Sequence, residues 1–333
     1  MNRFLKIIGW LFAICLLAAL ALIYFSYQVV TPLKTNKFLD LEIKNGMTGN
    51  QVADILAKEK LIAGPLSFKL MLRFTGKGRE IKSGFYRFSS NQSAFNILEK
   101  MVKGETEQKM VTFPEGKTLK EMGPILQKTG LMKSEDFIRV AQNYRFKMGD
   151  WEFQSPEGFL LPETYLVPIG ITPERMVTDM LGQFQKEILP EYLKMKDKLP
   201  LPLSLKEVVV LASLVEREAQ VSKERPVIAA VYYNRLIKGM KLECDATIQY
   251  VLGWKPLLTF DDLKIDSPYN TYRYEGLPPG PIANPGKAAL LATLHPKKND
   301  FLFYVLNYKK NDGSHLFSRN YDEHLRKIRS FDK

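Results

Sequence analysis

The stretch LASLVEREAQ, residues 211–220, places a glutamate where an apolar side chain belongs. With each residue of a helix turned about 100° from the last, Val208, Leu211, Leu214 and Val215 share one side, and Glu218 falls between Leu211 and Leu214. Glu216 and Arg217 then face water. SLKE, residues 204–207, reads as a capping box: the serine takes the amide three residues on, and the glutamate reaches back. That fixes the helix start, and with it the phase that puts Glu218 on the buried stripe. A carboxylate there is costly unless it is paired or used.

The pattern around this helix is helical too. Residues 173–187 read as one helix and 222–239 as another, with Pro226 in its first turn and Gly239 at its end. After them come GMKLECDATIQY, SPYNTY and GLPPGPIANPG, rich in turn formers and in amide and hydroxyl side chains. Such composition suits a substrate groove built from loops. Residues 151–166, WEFQSPEGFLLPETYL, read as an ordered loop, not a helix.

Upstream lies an internal repeat. EIKNGMTGNQVADILAKEKLI (42–62) matches VTFPEGKTLKEMGPILQKTGLM (111–132) at one offset: Gly46 with Gly116, Thr48 with Thr118, Ile55 with Ile125, Leu56 with Leu126, Leu61 with Leu131. Each copy predicts a strand, a glycine turn, a capping threonine and an amphipathic helix. Between them SGFYRF, from Ser83, reads as a strand, and Ser93 opens a helix through Ile97, Leu98, Met101 and Val102. Two copies are too few for a solenoid. They predict small α+β modules that bind a polymer or position a larger domain.

Residues 7–30, IIGWLFAICLLAALALIYFSYQVV, carry no charge. About 24 residues suffice to cross a hydrocarbon core as a helix. Arg3 and Lys6 precede the run, so the positive-inside rule puts residues 1–6 in the cytoplasm and the chain beyond about residue 31 outside. The competing reading is a cleaved signal peptide. The run is long for one, and Ile23, Tyr24 and Phe25 stand where small residues are needed. TPLKTNK, residues 31–37, reads as a polar linker.

At 333 residues and 45% hydrophobic, the chain can form two or three domains. Its net charge of +12 suits an acidic partner: nucleic acid, anionic lipid or a carboxylate-bearing polymer. The basic residues are scattered, and a working part outside the membrane argues against nucleic acid. Cys15 lies in the apolar run and Cys244 far from it, so neither a disulfide nor a cysteine metal site is expected. His295, His315 and His324 lack ligand spacing, so no metal or other cofactor is called for.

Glu218 alone admits two readings. It is a structural carboxylate paired with Arg235 or Arg225, or it is a general acid whose pKa desolvation raises toward neutrality. A raised glutamate beside a sugar bond is how many glycosidic bonds are broken. In the second case its folded pKa exceeds the unfolded value of about 4.3, and Glu218→Gln is neutral or stabilising at pH 7.

ASLVEREA (212–219), YYNRLIKGMKLECDATIQY (232–250), SPYNTYRYEGLPPGPIANPG (267–286) and EGFLLPETY (157–165) together resemble the YceG-like endolytic murein transglycosylases. The resemblance covers nearly the whole chain. It implies an α+β architecture: a cytoplasmic N-terminus (1–6), a transmembrane helix (7–30), a linker (31–37), a LysM-like module (38–110), a second repeat-like module with the PETY loop (111–170) and a mainly helical catalytic domain (171–333). It implies that Glu218, the second glutamate of E-x-E, is the catalytic residue. The reaction implied is non-hydrolytic cleavage of the β-1,4 bond between N-acetylmuramic acid and N-acetylglucosamine, giving 1,6-anhydro ends on nascent strands. The place of action is the plasma (inner) membrane, the catalytic part being periplasmic or extracellular. Partners implied are peptidoglycan glycan strands, the membrane through the first helix, and peptidoglycan synthases.

Tyr269, Asn270, Tyr272, Asn284 and Gln249 are candidates to orient the substrate, on residue type and family position; hydrogen-bonded turns are their alternative role. Asn234 and Arg235 read as structural in preference to substrate-binding, and Glu163 as a turn-stabilising residue in preference to a second active-site carboxylate. Cys244, just before Asp245 in D-x-T-x-x-Y, departs from the family pattern and has no functional reading from sequence. Two other functions stay open: a non-catalytic peptidoglycan-binding scaffold, and a hydrolase on the same polymer.

Overall fold

The computed structural model describes residues 2–33 and 38–331, with side chains from residue 6 onward. Residues 34–37 of the expected linker and the Arg3 side chain lie outside the described residues. The chain forms two compact units: one comprises residues up to 109 together with 166–171, the other residues 110–165 and 172 onward. Helix and strand are mixed in both.

In the first unit α1 (Asn2–Val30) is followed by β1 (Phe38–Ile43), α2 (Gly49–Lys58), α3 (Pro65–Thr75), β2 (Gly84–Ser89) and α4 (Ala94–Lys103). β1 and β2 pair antiparallel, Phe38 opposite Ser89 and Ile43 opposite Gly84. Val52, Leu56, Phe68, Tyr86, Phe88, Ile97 and Leu98 are fully buried and form the core; such side chains each contribute about 1.5–3 kcal/mol on burial. The end of α1 reaches this core through Val29, and Phe25 meets Phe74 edge-on at 6.2 Å. The earlier turns of α1 expose Trp10, Leu11, Phe12 and Leu17.

β3 (Gln108–Thr112) leads into α5 (Leu119–Lys128), α6 (Ser134–Asn143), β4 (Phe146–Met148), β5 (Trp151–Phe153) and β6 (Thr164–Pro168). Then come α7 (Pro173–Glu187), α8 (Leu189–Met195), α9 (Leu205–Glu218), α10 (Arg225–Ile237), α11 (Asp245–Leu252), α12 (Lys287–Leu294), β7 (Phe303–Leu306), β8 (His315–Ser318) and α13 (Tyr321–Arg329). The 151–166 segment is not one continuous loop: its ends pair as strands, Trp151 opposite Met148 in a β4–β5 hairpin.

The internal repeat is visible in backbone chemistry. Gly46 and Gly116 both take a left-handed turn, at φ +83° and +75°. Thr48 then caps α2 and Thr118 caps α5, with Gln51 and Glu121 completing the two boxes.

α9 starts at the expected place: Ser204 accepts from the Glu207 amide, and Glu207 answers to the Ser204 amide at 2.8 Å. It is not a one-sided amphipathic helix, however. Val209, Val210, Ala212 and Ser213 are as buried as Val208, Leu211 and Leu214. α10, α11 and α12 all pack against it, so it is the central post of the second unit. Ser213 is tolerated there because its hydroxyl donates to the Val210 carbonyl and accepts from the Ile282 amide.

Candidate active site

α9 ends at Glu218, and the chain leaves the helix at Ala219. This places the carboxylate at the rim of the packed layer, partly accessible, where β7 and the N-terminal end of α11 converge on it. The Tyr304 hydroxyl of β7 donates to Oε2 at 3.0 Å, and the Cys244 thiol donates to Oε1 at 3.2 Å. Desolvation is the first cause holding the Glu218 pKa above its usual range; the Cys244 and Tyr304 hydrogen bonds oppose it, the Asp245 charge adds to it, and His315 opposes it.

The two arginines that could have neutralised Glu218 are engaged elsewhere. Arg235 donates to the carbonyls of Leu302, Lys241 and Leu242 and to Glu243. Arg225 pairs with Glu216 at 3.1 Å and with Glu115 at 3.4 Å. Glu216 therefore does not face water as the helical phase predicts. Its side chain is 5% exposed and also accepts from the Gly286 amide. The reason is tertiary: α10 and the loop before α12 close over the side of α9 that a lone helix would leave wet.

Cys244 is set by its backbone. Glu243 before it has φ +52°, left-handed and strained for a side-chain-bearing residue. The Thr271 carbonyl accepts from the Glu243 amide, and the Thr271 hydroxyl from the Cys244 amide. The next residue, Asp245, accepts from the Tyr272 hydroxyl at 2.6 Å. Tyr272 is thus brought near Glu218 through Asp245.

Asn270 and Asn284 are fully buried. The Asn270 amide donates to the carbonyls of Leu263 and Ile265 and accepts from the Tyr272 amide, so it frames the SPYNTY loop. Asn284 ties three segments. It accepts from the amides of Gly158 and Leu160 and donates to the Lys117 carbonyl and to Glu157. Gly158 is required there: at φ +87°, an added Cβ would stand 2.7 Å from Val209. Asn234 donates to the Asn299 and Phe301 carbonyls, a framework role. Glu163 is exposed, and its carbonyl accepts from the Phe113 amide.

Tyr269 and Gln249 line a cavity of about 790 Å³ whose lining residues do not include Glu218. Ala246, Gln249 and Tyr250, one face of α11, and Gly253 just after it line the cavity together with Tyr269, Trp254, Arg217 and Glu157. The Tyr250 and Tyr269 rings meet at 4.9 Å. Glu157 accepts from the Leu119 amide and from Asn284, yet burial pushes its pKa up to about 8.

Sequence reading did not single out Tyr304, Tyr232 or Glu157. Tyr304 lies 86 residues beyond Glu218 on a strand that carried no motif. Glu157 stood inside the quoted EGFLLPETY, and a carboxylate between turn formers and a buried FLL run was the available signal.

A family model described as the YceG-like family matches residues 41–330. An endolytic murein transglycosylase of Streptococcus pneumoniae strain D39 is 29% identical, over 95% of this chain and 64% of the relative. One of Bacillus subtilis strain 168 is 30% identical, over 86% of this chain and 82% of the relative. The chain thus spans less than two thirds of the pneumococcal protein. The crystal structure of a YceG-like protein from Listeria monocytogenes superposes with a TM-score of 0.55 at 30% identity, covering 88% of this chain and 99% of that one.

Proposed function

The chain belongs to the YceG-like family, and from that premise we propose that it is a membrane-anchored endolytic transglycosylase of peptidoglycan. It cleaves the β-1,4 bond between N-acetylmuramic acid and N-acetylglucosamine without water. Glu218 gives its proton to the leaving oxygen as the bond from the anomeric carbon breaks. The resulting carboxylate takes the proton of the muramic acid C6 hydroxyl, whose oxygen bonds to the anomeric carbon. The product carries a 1,6-anhydro end and Glu218 is restored. One acid/base residue suffices because the nucleophile belongs to the substrate.

The observation that carries this reading is the surroundings of Glu218: a desolvated carboxylate held by a hydroxyl and a thiol, with the nearby guanidinia committed to other partners. A carboxylate so placed keeps a proton further toward neutrality than an ion-paired one. Tyr269 and Gln249, with Tyr250 and Trp254, offer a polar and aromatic lining for sugar rings. Tyr272 acts through Asp245, while Asn270 and Asn284 shape the loops. The β1–α2–α3–β2 order supports a LysM-like, glycan-holding role for the first unit. Lys6–Val30 is long and apolar enough to cross a membrane, which supports anchoring, the rest of the chain lying outside and reaching strands made by peptidoglycan synthases.

The test is muropeptide analysis by mass spectrometry after the full chain in detergent digests purified sacculi. Anhydro-muropeptides from the wild type and none from folded Glu218→Gln are expected. Products one water heavier, with reducing ends, point to a hydrolase; undiminished anhydro products from Glu218→Gln overturn the assignment.

A further inference from the structure

Behind Glu218 the two groups that hold it both neighbour Tyr232. The Tyr304 hydroxyl lies 2.9 Å from the Tyr232 hydroxyl on α10, and Tyr232 and the Cys244 thiol are close enough to influence each other electrostatically. Glu218, Tyr304, Tyr232 and Cys244 thus form one cluster of four polar groups, three of its links being hydrogen bonds, with Tyr232 and Cys244 each 1% exposed. Resting on the reading of Glu218 as acid and base, we propose that Tyr304 and Cys244, linked by Tyr232, are positioning residues. They hold both carboxylate oxygens and keep every buried donor satisfied in either protonation state of Glu218.

The proton count supports this. With Glu218 ionised, the Tyr304 hydroxyl and the Cys244 thiol each donate to one oxygen, and Tyr232 donates to either of them. With Glu218 protonated, the direction reverses along one side: Glu218 donates to Tyr304, Tyr304 to Tyr232, and Cys244 to the other Glu218 oxygen, while on this proposal the Tyr232 hydroxyl turns toward the neighbouring Cys244 sulfur. Each group then donates once and accepts once. Neither form leaves a buried polar group orphaned, which is the condition for one residue to lose and regain a proton within a turnover at low cost. Glu243, just before Cys244, is left-handed at φ +52°, and the thiol after it donates to Glu218 at 3.2 Å. The other groups facing Glu218 are Asp245 of α11, itself bonded to Tyr272, and His315 of β8, held by Glu224 at 2.8 Å. Neither hydrogen-bonds Glu218 among the described contacts, so neither belongs to the cluster.

The experiment is the pH profile of anhydro-muropeptide release by the full chain in detergent, with thermal melts of each variant. A general acid loses activity as pH rises past its pKa, and donors to the carboxylate lower that pKa. Tyr304→Phe and Cys244→Ala should therefore each move the alkaline limb upward, by about one pH unit for a hydrogen bond to a charged group. Cys244→Ser, which keeps a donor, should restore the profile that Cys244→Ala loses. A folded Tyr304→Phe with the wild-type profile overturns the proposal, as does a uniform loss of rate with no shift of the limb. Should Tyr304→Phe fail to fold, the Cys244→Ala and Cys244→Ser pair decides: identical profiles for the two overturn it. An active Glu218→Gln removes the underlying reading instead, and is distinguishable because the alkaline limb then has no carboxylate to belong to.

Discussion

Glu216 and Glu218 stand two residues apart at the end of α9 and meet opposite surroundings: Glu216 is locked to the Arg225 guanidinium at 3.1 Å, and Glu218 receives a phenol and a thiol. One carboxylate is ion-paired and the other is held by neutral donors, with burial raising its pKa. Removing the guanidinium strands Glu216 in a buried site. Arg225→Ala should cost about 3–5 kcal/mol of stability, read from urea denaturation, as for other broken buried pairs.

Glu218→Gln should behave in the opposite way. Its folded pKa lies above the unfolded value, so the proton it holds favours the fold at low pH, and that contribution is lost as pH rises through the folded pKa. The glutamine variant lacks this loss. It should melt at or above the wild-type temperature at pH 7.5, with the gap closing toward pH 4. A clearly lower melting temperature at pH 7.5 would show that the carboxylate is a structural partner.

Glu157 carries the same sign with a defined window. Its pKa moves from 4.5 to about 8, so the folded protein binds one more proton than the unfolded chain between those values, and stability falls with pH across them. Thermal melts from pH 4 to 9 should show a shallower decline for Glu157→Gln than for the wild type. Parallel declines would contradict this burial effect.

Asn284→Ala should be among the most damaging single changes at the loops. It strips partners from the Gly158 and Leu160 amides and from Glu157 at once. With about 1–3 kcal/mol for each of the two buried amides left unsatisfied, a loss of at least about 2 kcal/mol is expected in urea denaturation. A loss below about 1 kcal/mol would mean that the loops do not depend on this clamp.

The cavity beside α11 should report on substrate hold. Trp254 is largely exposed and Tyr269 is half-buried with its ring tilted against Tyr250, so neither substitution opens a large hole in the core. Trp254→Ala and Tyr269→Ala should raise KM for purified glycan strands several-fold, with kcat changing less than twofold, as expected when binding shared by ground and transition states is lost. Unchanged KM in both would place the glycan elsewhere.

Local chemistry was legible in the sequence because it depends on neighbours within a turn or two. The Ser204–Glu207 box, the paired Thr48 and Thr118 caps, the Pro173–Glu187 helix and the apolar run of α1 all follow from near-neighbour rules. Phase alone also set Glu218 apart from Glu216. What the sequence could not supply was who meets whom across the fold. It sent Glu216 to water, because a lone helix has a wet side and a central one does not. It left Cys244 without a role and passed over Tyr232 and Tyr304, because Cys244 and Tyr304 meet Glu218 across 26 and 86 residues of chain, and Tyr232 meets Tyr304 across 72. Buried polar groups must find donors and acceptors wherever packing brings them, and only the tertiary structure decided that the glutamate singled out by its helix would be met by a tyrosine and a cysteine instead of an arginine.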